Sequence, residues 1–156
     1  STTTPTLKPL TTPNRTTQPP RSPRVRLGGF TILPRILDKA RAKAAGTAGD
    51  YKYNSTLDSL LFGFTGIDPA ALLNEAKSAK SDSEMLDWVQ ANAAQKRSAL
   101  EIRQWAAWTE TFALHDVESR DWFTGEIKRL CPERTDIETV FDYLDVDDFV
   151  GFGGKA

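Results

Sequence analysis

Three times in its second half the chain places a Ser or Thr three residues ahead of a glutamate at the head of an apolar stripe: Ser81 with Glu84, Ser98 with Glu101, and Thr135 with Glu138. In such a capping box the hydroxyl accepts from a backbone N–H of the first turn. The carboxylate reaches back to the N–H of the cap residue, so two donors that a helix start would leave unpaired are satisfied together. Each box predicts a helix. The stripes behind them are Met85, Trp88 and Val89; then Ile102, Trp105, Thr109 and Phe112, with Trp108 at the margin; then Ile137, Val140, Phe141 and Leu144. Spacings of three and four put each set on one helical face. Between the last two boxes a further helix is expected to open at Asp116, carry Phe123, Ile127 and Leu130 inward, and stop before Pro132.

The first half reads the same way with different punctuation. Thr31 as cap, Pro34 in the first turn and Gly46 as stop predict a helix over residues 32–45, with Leu33, Ile36, Leu37, Ala40 and Ala44 on one face. Tyr51-Lys52-Tyr53 suits a short extended piece. Ser55 and Thr56 then cap a brief helix through Leu57, Leu60 and Leu61 that Gly63 and Gly66 end, and Asp68-Pro69 opens another with Ala71, Leu72 and Ala76. The expected fold is all-α: a compact bundle of five or six short helices over residues 24–150, with no βαβ pattern and no internal repeat. Residues 1–23 hold eight threonines and six of the nine prolines, with Leu7 and Leu10 almost the whole apolar content. Such a stretch buries too little to offset its ordering entropy and predicts an extended or disordered arm, whose removal costs little stability. Residues 151–156 read as a flexible tail. From Arg24 to Phe30, basic and apolar residues alternate, which predicts an extended strip with its arginines outward.

A length of 156 residues with 39% hydrophobic and 26% charged residues suits one domain with its own core. No run is long enough to span a membrane and the N-terminus lacks a signal-peptide pattern, so a cytoplasmic protein is expected. Cys131 and His115 are the sole residues of their types, too few for a disulfide or a Cys/His zinc site. No cofactor signature is present and none is expected.

Charge is distributed unevenly. Residues 1–52 hold ten of the twenty Lys and Arg but two of the twenty-one Asp and Glu, so the remainder carries ten bases against nineteen acids. That split implies an anionic partner for the first half or contact between the halves. Arg35, Lys39 and Lys43 recur at four-residue intervals, and three like charges along an exposed helix repel by a few tenths of a kcal/mol per pair. With Arg24 and Arg26 they form a candidate anion- or partner-binding set, or a solvated face paired to Asp58 or to the acidic C-terminus. Asp38, Tyr51, Tyr53, Asn54 and Asp58 form a candidate ligand cluster, with surface-packed tyrosines as the plainer alternative. Asp145, Asp147 and Asp148 near a helix end oppose its dipole and call for a cation, which the basic arm of this or another protomer supplies; the spacing is not that of a calcium loop. Cys131 reads as a buried structural thiol, His115 as a residue of a helix C-terminal cap. Trp122 and Trp108 lie off the core stripes and are interface candidates. Without a helix-turn-helix, zinc or aromatic-basic signature, nucleic acid is not the expected partner.

Five segments carry a resemblance: PRSPRVRLGG at 20–29, LPRILDKARA at 33–42, GDYKYN at 49–54, LDSLLFGFTGID at 57–68 and TDIETVFDYLDVDD at 135–148. Together they resemble a bacterial family known as domain of unknown function 5069 (DUF5069), over roughly residues 20–148. The resemblance implies a single bacterial domain and no particular activity. Relatives of that pattern commonly have cysteine where Ser55 stands and histidine where Lys52 stands, so it implies no thiol or imidazole mechanism for this chain.

Two functions remain in view. The leading expectation is a non-enzymatic interaction or accessory-subunit module that docks a partner protein or second protomer through its arm and basic strip. The other is a small enzyme or binding protein for a phosphate- or carboxylate-bearing metabolite, built from Arg35, Lys39, Tyr51, Tyr53, Asn54 and Asp58. Convergence of those six on a concave pocket favours the second.

Overall fold

One helix, α1 (Leu33–Ala45), is buried along most of its length, with Arg35, Asp38 and Lys39 among its buried residues. The computed structural model describes Asn14, Arg15, residues 17–114 and residues 117–154. After α1 come α2 (Asp58–Thr65), α3 (Pro69–Glu75), α4 (Asp82–Asn92), α5 (Ala99–Glu110), α6 (Val117–Leu130) and α7 (Val140–Gly151). The fold is all-helical. The described residues form seven helices, one more than the upper expectation, and the nearest thing to a strand is an isolated bridge between Leu27 and Phe30. None of these helices is long and apolar enough to cross a membrane.

Local signals explain most helix ends. Ser81 and Ser98 form both hydrogen bonds of their capping boxes. Gly46 closes α1 in the left-handed region, its N–H turned back to Ala42 and Lys43 carbonyls. Two starts differ from expectation. The cap of α1 is Ile32, at φ 70°, and Thr31 is instead buried with its hydroxyl 2.6 Å from that of Thr109. Pro34 lacks an N–H, which lessens the need for a capping side chain there. The last helix opens four residues late, on a Thr139–Asp142 box rather than Thr135–Glu138. Asp142 accepts from the backbone of both Glu138 and Thr139, and this register buries Phe141 completely.

Two apolar clusters result. The larger joins Leu33, Ile36, Leu37 and Ala40 of α1 to Leu61, Leu72, Met85, Val89 and Phe141, with Trp105 stacked on Phe64 at its edge. The smaller sits between α6 and α7 and holds Leu130, Cys131, Tyr143 and Val146, flanked by Phe123 and Ile127. Cys131 is fully buried there as a free thiol.

Residues 1–13 and 16 of the expected arm, together with His115, Asp116 and residues 155–156, lie outside the described residues. Residues 19–23 lie against the domain. Pro20 and Pro23 are buried, the Pro23 carbonyl accepts the Ile32 N–H at 2.9 Å, and Arg21 reaches both Asp38 and Asp82. The arginines of the following strip point outward as expected, but onto acids of the same chain: Arg24 onto Asp142 and Asp145, Arg26 onto Glu110.

Candidate functional site

Burial of α1 changes the meaning of its basic row. Arg35 and Lys39 are 3% and 4% exposed, so they form no solvated ridge; only Lys43 is at the surface, its ammonium 6.0 Å from the Tyr53 ring. A charge this deep persists only when paired. The Lys39 ammonium donates to both Asp58 oxygens at 2.8 and 2.6 Å and to the Lys52 carbonyl at 3.1 Å. Asp58 is held in turn by the Ser55 N–H, while its own N–H donates to Ser55 Oγ. Burial lowers the Lys39 pKa, opposed by the neighbouring Asp58 charge. Arg35 donates to Asp148 at 2.7 Å, and Tyr51 donates to the other oxygen of that carboxylate at 2.8 Å. The Arg35 guanidinium also lies 5.6 Å from the Tyr51 ring centre. Burial and the hydrogen bond to Asp148 raise the Tyr51 pKa, so the phenol stays a donor.

These pairs form one end of a cleft of about 800 Å³ that opens where the two apolar clusters meet. Arg15, Arg35, Lys39, Tyr51, Lys52 and Ser55 line the polar end. The apolar walls are Leu57 from the start of α2, Phe112 and Leu114 after α5, Trp122 and Phe123 of α6, and Val140, Tyr143 and Leu144 of α7. Trp122 meets Tyr143 edge-on at 5.3 Å and remains half exposed. Asp147 also lines the cleft. Its pKa is raised, first by burial and then by the adjacent Asp148 charge.

Of the six residues expected to converge, Arg35, Lys39 and Tyr51 line the cleft, and Asp58 lies fully buried behind Lys39. Tyr53 turns away to donate to the Pro69 carbonyl at 2.6 Å, and Asn54 is an exposed turn residue at φ 60°. Asp38 is not among the residues lining the cleft and is shared among Arg15, Arg21 and Arg41. Trp122 belongs to the cleft wall. Trp108, 49% exposed, packs against Phe112 and is not among the residues lining the cleft. Sequence reasoning missed Arg15, Phe112 and Tyr143, which converge only through tertiary folding. Asp148 left a signal, a carboxylate near a helix C-terminus that needs a cation, without showing which cation.

The set offers hydrogen-bond donors and an apolar wall. The Lys39 amine is engaged by both Asp58 oxygens and by the Lys52 carbonyl, at 2.6 to 3.1 Å. Among the described residues no group of three His, Cys, Asp or Glu could hold a metal ion. The family model for the domain of unknown function DUF5069 matches residues 17–150, from the strap that holds Arg21 almost to the end of α7. The chain belongs to this family. No curated protein matches the chain. Of the cleft's polar residues, Arg15 alone precedes the stretch that the family model matches.

Proposed function

We propose that this domain binds a small amphipathic organic acid in the cleft between α1, α6 and α7. The observation that carries the reading is the union, in one cavity of about 800 Å³, of a cationic end and a wall of aromatic and aliphatic side chains. Sites for small ligands have this size and this mixture of apolar lining with a few fixed polar groups. Docking through the basic strip has less support, because Arg24 and Arg26 are already taken up by acids of the same chain. A thermal-shift screen of organic acids tests the reading. Wild-type protein is stabilised by some members, by about 2.7 kcal/mol at a hundred times Kd. Trp122→Ala removes the shift and Trp108→Ala keeps it. A shift indifferent to Trp122→Ala contradicts the proposal.

A protein-partner role is the second reading, carried by Trp108, which lies half exposed outside the cleft. Loss of a captured complex on Trp108→Ala, with acid binding intact, supports it.

A further inference from the structure

Among the described residues, Arg15 is a buried cation with too little opposite charge. Its side chain is 6% exposed, yet its nearest carboxylate among the described residues, Asp38, stands 3.6 Å from Nη2 and is closer to Arg21, at 3.0 Å. Arg41 also draws on Asp38, from 3.9 Å, and on Asp82. Three guanidiniums thus share two carboxylates, and Arg15 is left with the weakest contact. Its Nη1 donates to the Pro19 carbonyl, and its Nε has no hydrogen-bond partner among the described residues. A buried N–H of this kind is destabilising until something pairs with it. Across the same cleft Lys52 is exposed and forms no ion pair among the described residues, while Arg35 and Lys39 are committed to Asp148 and Asp58.

We infer that Arg15 and Lys52 hold the head group of the cleft's ligand, and that the ligand is an aromatic monocarboxylate. The inference rests on the binding reading above and narrows it. The Arg15 guanidinium, held by one long carboxylate contact at the cleft wall, and the Lys52 ammonium, in no ion pair among the described residues, match the two oxygens of a carboxylate. A phosphate would bring further oxygens and a second negative charge beside Asp50 and Asp147, which line the same cleft. The ring walls supplied by Trp122, Phe123 and Tyr143, in edge-on and tilted contact, suit a flat apolar body. Burial lowers the Arg15 pKa, as expected of a guanidinium short of negative charge.

The test is calorimetric titration of the full chain with biphenyl-4-carboxylate, its neutral carboxamide, biphenyl-4-yl phosphate and decanoate. Wild type prefers the carboxylate to the carboxamide by roughly tenfold, the worth of one charge-assisted hydrogen bond. It binds the phosphate ester and decanoate more weakly than the aromatic carboxylate. Arg15→Gln and Lys52→Gln each narrow the preference for carboxylate over carboxamide severalfold. Lys52 is on the surface, so its variant remains decisive where Arg15→Gln perturbs folding. Equal affinity of wild type for carboxylate and carboxamide, a preference undiminished by Lys52→Gln, or tighter binding of the phosphate ester or decanoate overturns the head-group assignment and leaves the cleft as a binding site. If none of the four probes binds, the binding reading falls as well.

Discussion

Lys39 carries its charge into a place with almost no water, where its partner Asp58 is wholly buried. Removing one member of such a pair strands the other, so Asp58→Ala is expected to cost about 3–5 kcal/mol in urea unfolding. The double change Lys39→Met with Asp58→Leu should recover most of it, since a packed apolar pair needs no desolvation. Asp147 makes the opposite case. Burial and the Asp148 charge raise its pKa above 3.8, so the folded chain holds that proton more tightly than the unfolded one. Its favourable contribution is therefore complete below pH 3.8 and is lost as pH rises through the raised value. Asp147→Asn should accordingly raise Tm at pH 7, with the gain fading in melts below pH 3.8; the 3.9 Å contact it gives up to the exposed Arg129 is worth little. The burial of Arg35 and Lys39 was not legible in the sequence. Nothing within a helical turn of Arg35 announces a carboxylate 113 residues away.

Among the elements, what the sequence made legible was what a few neighbouring residues decide. The Ser81 and Ser98 boxes are complete within four residues, and both helices start where those residues place them. Ser98→Ala should cost about 1 kcal/mol of stability, checked by urea unfolding. Around α7 two overlapping boxes competed, and burial of Phe141 accompanies the later one. Gly46 and Gly66 separate backbone strain from crowding. Both have φ near 70°, but a Cβ at Gly46 meets open space whereas one at Gly66 comes within 2.9 Å of the Ala94 Cβ. Gly46→Ala should cost about 1 kcal/mol, as strain alone does. Gly66→Ala should cost clearly more, and equal midpoints in denaturant would refute the crowding argument.

Across the whole molecule the uneven charge distribution serves the fold. Basic residues of the first third meet acids of α2, α4, α5 and α7: Lys39 with Asp58, Arg21 with Asp82, Arg26 with Glu110, Arg35 with Asp148. The sequence announced the imbalance but left open whether an outside partner or the chain itself would answer it, because net charge carries no geometry. The expectation that residues 1–23 add little stability must be revised, since Arg21 bridges Asp38 and Asp82 and Pro23 anchors Ile32. Deleting them should lower Tm by several degrees, measured by thermal denaturation. The same packing of α6 and α7 against the α1 assembly forms the cleft. Its role is tested most directly by following backbone amide and tryptophan indole N–H resonances during titration with biphenyl-4-carboxylate. The Trp122 indole and the amides of residues 50–57 should shift and saturate together while the Trp88 indole stays in place. Unmoved Trp122 and 50–57 signals at millimolar acid would contradict it.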